Sequence, residues 1–517
     1  MAGLSIWIVS VLVGMFLGWF LLLGNRRRWE AEPPLETGWI PYIGCAFEFV
    51  SNPFKFMQAR QNKYGEIFTC KIAGKFITFI TDPFSYTSVI RHGKSLDFQK
   101  VALTISKNVF GHVDFTKYDI GNDEIHNIFN RTLQGLSLGS LTSSMMENLQ
   151  FVMSQGKSSS DSSSWTIENL YEFSCKIMFE AGHLTLFGKN DKAMKGGDVE
   201  KIKQQHDAIQ FALEEFKAFD TVFPALVAGI PMGFFKTAKK ARKALEGRLL
   251  NKTLREQDCK SALIKERMEL FDSSSSLDEH NKAKTHVIML WASQANTLPA
   301  SFWSIYYLMR NPEALNAVKN EVENILKVTN QKPGDINSPI IFTREQLDSM
   351  TNMGSLINEV LRLSSASMMI RVATEDLLLT LDSGRKVAIR KGDQIALYPQ
   401  LLHLDPEIYE DPHEFKYNRF LDENGKDKTT FYKNGRKLKY YLMPFGSGTS
   451  ICPGRHFAIN EIKQFLSLML CYYDMELLDF TALSPTLNNT RAGLGILQPS
   501  NDVLFHYRLK QQPAKQS

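Results

Sequence analysis

From Leu4 to Leu23 the chain carries no charged residue, whereas beyond it polar and apolar positions are interleaved almost throughout. A run of that length suffices for a helix to cross a hydrocarbon core of about 30 Å. Arg26, Arg27 and Arg28 follow the run instead of preceding it, which is the arrangement of a retained anchor and places the rest of the chain in the cytosol by the positive-inside rule. We expect a transmembrane segment over 4–23, a basic and proline-rich linker over 24–37, and one large folded domain over 38–517. In the linker and just after it, Pro33, Pro34, Gly38, Pro41 and Gly44 predict extended chain running over the surface.

Ile67-Phe68-Thr69 and Phe76-Ile77-Thr78-Phe79-Ile80 are β-branched and aromatic runs separated by Ala73-Gly74-Lys75, which predicts a hairpin. Most other apolar positions recur with helical period: over Asn148 to Met153, Trp165 to Ala181, Val199 to Ala218, Ala238 to Leu250, Lys282 to Met309, Pro312 to Val328, Ser355 to Leu363 and His456 to Cys471. The fold class is therefore mainly α with small β-sheets. Ser158 to Ser164 and Ser273 to Ser276 read as exposed loops. Phe219 to Phe235 is apolar but broken by Pro224, Gly229, Pro231 and Gly233, and a basic run follows at Lys236, Lys239, Lys240, Arg242 and Lys243. That pattern fits a second membrane contact, or a packed helix end beside a solvated charged face.

Composition narrows this picture in three ways. With 517 residues, 44% hydrophobic, and no linker-like stretch in its middle, the chain has ample apolar material for one large core. Its net charge of +5 is small and dispersed, unlike the Lys/Arg stripe of a nucleic-acid-binding protein, and fits an acidic protein partner or anionic lipid. The six cysteines are far apart, with no pair or His/Cys cluster at zinc spacing, so neither a disulfide framework nor a zinc site is expected.

One cysteine has unusual surroundings. In Phe445-Gly446-Ser447-Gly448-Thr449-Ser450-Ile451-Cys452-Pro453-Gly454 the glycines at 446, 448 and 454 let the backbone reach positive φ and approach a flat ligand closely. Pro453 sets the turn into a helix starting near His456, whose free N–H groups favour a thiolate over a thiol. Separately, Glu359 and Arg362 are three apart on one helix face and can pair, and a second arginine, Arg419, lies in Tyr417-Asn418-Arg419-Phe420.

The Cys452 loop resembles the haem-binding signature of the cytochrome P-450 family, and Glu359, Arg362 and Arg419 resemble that family's Glu-Arg-Arg triad. The resemblance implies haem b with Cys452 as its axial thiolate, dioxygen as co-substrate, and a haem site drawing on Phe445, Gly446, Gly448 and Gly454. It also implies a catalytic domain over 38–517 anchored as a single pass in the endoplasmic reticulum membrane. No Gly-x-Gly-x-x-Gly dinucleotide fingerprint is present, so NADPH is expected to act through NADPH–cytochrome P-450 reductase, drawn in by Lys433, Arg436, Lys437, Lys439 and Arg455.

Two departures from the family pattern are informative. Where most members carry an acid and then an alcohol at the dioxygen groove, this chain has Ala295 and Asn296, followed by Thr297. Asn at the second position resembles the branch that holds sterol 7α-hydroxylases and prostacyclin synthase, and an amide can still donate a hydrogen bond there. Pro299 has no N–H for the Ala295 carbonyl, so the helix should open at this groove. Ser450 stands where the family commonly has Arg or His for a haem propionate, which leaves Arg371 as the expected propionate partner.

Wider resemblance to sterol-hydroxylating members runs through Val222 to Gly229, Trp291 to Thr297, Arg362 to Ser367 and Arg491 to Leu497. It implies oxygen insertion at C7 of a sterol, cholesterol first, in an apolar pocket with Trp291, Ala292, Ala366 and Leu494 as wall candidates and Asn296 as the polar group. A substrate dissolved in the bilayer fits an anchored protein. The alternatives are an oxysterol 7α-hydroxylase or a sterol 12α-hydroxylase, and the groove residues alone are also compatible with a peroxide isomerase of the prostacyclin synthase type.

Overall fold

The computed structural model describes residue 7 and residues 10–18, 26, 28–111, 115–118, 120–155, 164–333 and 338–510. The expected hairpin forms between strands Ile67–Ile72 and Lys75–Ile80, with positive φ at both turn residues, Ala73 and Gly74. That turn geometry matches the right-handed twist of the two strands. Around the hairpin a six-stranded sheet runs in the order Leu35–Glu36, Ile67–Ile72, Lys75–Ile80, Gln394–Leu397, Met369–Ala373, Leu96–Asp97.

The linker is not a free spacer. Leu35 and Glu36 pair in parallel with Thr69 and Cys70, and Arg26 donates to both carboxylate oxygens of Asp393 at 2.7 and 2.6 Å. Glu32, 4% exposed, accepts from Arg26 and from Arg390, whose guanidinium also lies 4.1 Å from the centre of the Trp29 ring. These contacts fix the direction in which the chain leaves the domain towards its N-terminus. The expected span 4–23 falls largely outside the described residues. Residues 10–18 are helical with Leu12, Val13, Met15, Phe16 and Leu17 exposed, and among the described residues no helix is long and apolar enough to cross a membrane.

Helices occupy most of the remainder, and the largest core is packed between Gly135–Ser154, Leu170–Phe187, Thr297–Arg310, Thr351–Ser364 and Arg455–Tyr472. Three boundaries differ from expectation for local reasons. The segment after Trp165 opens as a strand, Thr166–Asn169, because the C-terminal strand Leu504–Leu509 lies alongside it; the helix begins only at Leu170. The helix expected from Lys282 starts at Glu279, where the Asp278 carboxylate accepts the Asn281 N–H at 2.8 Å. Finally, the periodic run to Met309 is two helices, Glu279–Gln294 and Thr297–Arg310, broken at Ala295 and Asn296. Pro299 explains the break: the Ala295 carbonyl has no N–H four residues on.

The apolar segment 219–235 divides its side chains. Phe219, Phe223 and Leu226 are buried, whereas Ile230 and Phe234 are exposed ahead of the basic helix Lys236–Arg248. Ser273 to Ser276 is loop apart from its first residue, the last of a helix, and most of the stretch 158–164 lies outside the described residues.

Candidate active site

Cys452 is half-buried at the end of a loop closed by its own N–H, which donates to the Phe445 carbonyl at 2.9 Å. Gly446 and Gly448 take φ of +73° and +68°, and a Cβ on Gly448 would stand 2.6 Å from Ile90 Cγ2, so a side chain there would strain the backbone and displace Ile90. Gly454, expected to share positive φ, sits at −85° and acts instead as the N-cap of Arg455–Tyr472. Burial pushes the Cys452 thiol up, and the N–H groups of Gly454 and Arg455 and the Arg455 charge oppose it without prevailing. The helix start alone therefore does not ionise this sulfur; a metal ion on it would.

The neighbouring strand supplies the complement. Arg371, 3% exposed on Met369–Ala373, donates to Ser450 Oγ at 2.9 Å and pairs with no carboxylate among the described residues. A buried guanidinium held only by a hydroxyl has unmet capacity for an anion. The Cys452 loop and this strand thus fit a flat ligand carrying a carboxylate, and Ser450, the departure noted above, is the side chain that orients Arg371.

Behind the loop stands the triad. Glu359 and Arg362 are fully buried and meet through two bonds, Nε to Oε2 at 2.7 Å and Nη2 to Oε1 at 2.8 Å. Arg419 Nε reaches the same carboxylate at 2.9 and 3.0 Å, and the Lys416 N–H adds a fourth donor group at 3.1 Å. Arg362 Nη1 then donates to the carbonyls of His403 and Pro412 at 2.6 and 2.7 Å, tying the helix Thr351–Ser364 to the chain that leads into the Cys452 loop.

At the opened helix, Asn296 makes no cap with its side chain. Its Oδ1 accepts the Ile496 N–H at 3.0 Å, and its Nδ2 has no partner among the described residues. The amino end is thus the one left to donate into the groove. Gly495 makes this approach possible: at φ +147°, its added Cβ would fall 2.0 Å from Asn296 Oδ1. Gly495→Ala should therefore displace Asn296 and lower turnover by about 10-fold or more with haem content unchanged, measurable by steady-state assay beside an absorbance spectrum; wild-type turnover would count against a role for Asn296.

Thr297 is turned elsewhere. Its hydroxyl donates to Glu461 Oε1 at 2.9 Å, on the helix that follows Cys452, and both side chains are buried. Thr297 was expected in the groove chemistry; its hydroxyl instead joins the two helices that flank the site. Burial pushes the Glu461 carboxyl up to about 8, with the Thr297 hydrogen bond opposing. A raised carboxyl binds its proton more tightly folded than unfolded, so its contribution to stability is full below its ordinary value of 4.5 and is lost as pH rises through about 8. Glu461→Gln should flatten the fall in melting temperature over that range; an unchanged slope would contradict this.

Of the expected pocket wall, Ala292 is exposed and Trp291 and Leu494 are half-buried. Ala366 is 0% exposed, its backbone paired with Gly493 and Gly495, and presents no surface to a ligand. Those pairings bring the residues after Arg362 against the 493–497 segment that holds Asn296. Of the five basic residues flanking the cysteine loop, Lys433 pairs with Asp405 and Glu407, and Arg436 with Asp382 at 2.7 Å. Lys437 and Lys439 remain exposed with no carboxylate partner among the described residues, Lys439 lying over the Tyr440 ring, and Arg455 donates to the Cys452 carbonyl at 3.2 Å. Sequence reasoning missed Ser450's role and Glu461; the signal for the latter was the one acid in the helical run from Phe457 to Leu470.

A mainly helical fold with a buried Glu-Arg-Arg cluster behind a glycine-bounded cysteine loop matches one family model, Cytochrome P-450, over residues 33–505. The chain belongs to the cytochrome P-450 family, whose cofactor is a thiolate-ligated haem that works on dioxygen. It is similar to cytochrome P-450 7A1 of Oryctolagus cuniculus, 51% identical with 98% of this chain and 99% of that one covered. It is 49% identical to cholesterol 7-alpha-monooxygenase of Cricetulus griseus, with 98% of each covered. Its identity to cytochrome P-450 7B1 of Mus musculus is 38%, with 96% and 94% covered.

Proposed function

We propose that this chain is a membrane-anchored monooxygenase that inserts one oxygen atom into cholesterol at C7 on the α face, the entry step from sterol to bile acids. Supporting this reading above all is identity of about one half, over nearly the whole length, to a relative named for that reaction, against 38% to cytochrome P-450 7B1. Cys452 would hold the haem iron through its sulfur, Arg371, oriented by Ser450, would take a propionate, and Phe445, Gly446 and Gly448 would shape the loop that receives the group. Bound there, the haem supplies activation of dioxygen and insertion of one of its atoms.

The chain's own residues then do the rest. Asn296 Nδ2 donates a hydrogen bond into the groove in place of the usual acid and alcohol. Ala292, Trp291 and Leu494 form apolar wall suited to a rigid hydrocarbon plate that water would otherwise surround. Electrons come from NADPH through the reductase, with Lys437, Lys439 and Arg455 as the basic contacts on that side. The anchor over 4–23 sits in the endoplasmic reticulum membrane with the domain in the cytosol, and exposed Ile230 and Phe234 dip into the same lipid from which the sterol enters.

Purified chain reconstituted with reductase in lipid vesicles tests this. Cholesterol should accelerate NADPH consumption and yield a hydroxysterol; rearrangement of a prostaglandin-type peroxide without NADPH, and no sterol product, would replace the reading with an isomerase.

A further inference from the structure

The helix Val199–Asp220 ends on a buried carboxylate that the chemistry above does not use. Asp220 is 4% exposed, and three donors from outside its own helix converge on it. Its Oδ1 accepts the Trp291 indole N–H at 2.8 Å, and its Oδ2 accepts Gln498 Nε2 at 3.1 Å and the Arg491 guanidinium. Arg491 is 2% exposed, and its Nε and Nη2 have no partner among the described residues, so Asp220 is its counter-charge. A buried charge with one compensating partner is held firmly, because separation leaves it uncompensated.

The indole is fixed in two further ways. Its ring stacks on Phe223 with centroids 3.9 Å apart and planes 2° apart, and Phe110 meets both rings edge-on at 6.2 and 6.0 Å. Stacking sets the ring plane and the hydrogen bond sets its rotation within that plane. Trp291 lies one turn before the opened groove, its carbonyl accepting the Ala295 N–H at 2.9 Å. Arg491 in turn accepts the Leu494 N–H at its carbonyl at 3.0 Å, at the start of the segment whose Ile496 N–H holds Asn296. One carboxylate therefore sets two walls of the pocket, the Trp291 helix and the Leu494 segment, and ties both to the base of the apolar 219–235 loop.

We propose that Asp220 is a positioning residue which, through the Trp291 indole and the Arg491 guanidinium, sets how the sterol plate seats beside the oxygen-inserting centre and so fixes the carbon that is oxidised. This rests on the sterol monooxygenase reading. Removing the clamp frees the indole to rotate and the Leu494 segment to shift by fractions of an ångström, enough to present neighbouring carbons.

The test compares wild type, Asp220→Asn, Asp220→Ala, Asp220→Glu and Trp291→Phe in the reconstituted system. Trp291→Phe keeps the Asp220–Arg491 pair and the stack while deleting the indole N–H, so it remains informative if Asp220→Ala folds poorly. Each is scored for haem content, cholesterol binding to the isolated holoenzyme, kcat and KM separately, and the positions of oxidation. Asp220→Ala and Trp291→Phe should keep haem per folded chain, lose about 10- to 100-fold in kcat/KM, and yield additional hydroxysterols oxidised away from C7. Asp220→Glu should restore part of the selectivity. Unchanged product positions in haem-replete variants would overturn the inference, as would activity lost only in proportion to haem. If wild type itself neither binds nor oxidises cholesterol, the reading beneath it fails and this inference with it.

Discussion

Cys452→Ser is expected to leave a folded chain without a thiolate-type carbon monoxide spectrum and with turnover at background. The substitution exchanges one sulfur for a smaller oxygen and keeps the Cys452 N–H bond to the Phe445 carbonyl that closes the loop, so stability should change by no more than about 1 kcal/mol. What disappears is ionisation: a serine hydroxyl stays protonated, whereas a thiol, although pushed up by burial, would release its proton to solvent when a metal ion binds its sulfur. No other cysteine can stand in. Cys45, Cys70, Cys175 and Cys471 are buried in packed cores, and Cys259 is exposed on a turn at φ +53°. Retention of the thiolate spectrum, read on the purified protein beside its far-ultraviolet circular dichroism, would sink the ligand assignment.

Glu359→Gln should act through stability. Among the described residues the carboxylate is the sole counter-charge of Arg362 and Arg419, and removing its charge leaves two guanidinium groups facing backbone carbonyls and the Tyr409 ring. Breaking a buried ion pair by deleting one partner costs about 3–5 kcal/mol, a large share of the 5–15 kcal/mol that ordinarily separates folded from unfolded chains. Because Arg362 also grips the His403 and Pro412 carbonyls, local loosening should reach the cysteine loop and accelerate haem loss. Denaturant unfolding and haem transfer to an acceptor protein check both effects; a stability change under 1 kcal/mol would mean that the cluster is replaceable.

Much of this was legible in the sequence wherever the physics is local. A missing N–H at Pro299 predicts the opening at Ala295, three-residue spacing predicts the Glu359–Arg362 pair, and β-branched and aromatic runs on either side of Ala73-Gly74-Lys75 predict the hairpin of residues 67–80. What escaped reading depends on partners far along the chain. Trp165 to Asn169 carries a helix-compatible pattern, yet the Leu504–Leu509 strand claims it. Thr297 follows the groove residues directly, but Glu461 draws its hydroxyl away. Asp220 falls in the segment 219–235 that reads as apolar, and only folding brings Trp291, Arg491 and Gln498 to it. Ala366 lies in one of the segments that resemble sterol-hydroxylating members, yet its pairing with Gly493 and Gly495 leaves it no free surface. The linker over 24–37 has the composition of a spacer, and its stitching to the sheet rests on Asp393 and Arg390, hundreds of residues away.

The most direct measurement is a single reconstituted turnover experiment with cholesterol, reductase, NADPH and isotopically labelled dioxygen, followed by mass spectrometric and magnetic resonance analysis of the sterol. The proposed function predicts 7α-hydroxycholesterol carrying one labelled oxygen atom, formed only when NADPH is present. A product whose new oxygen is unlabelled, or a hydroxyl on another carbon of the wild-type product, would contradict it.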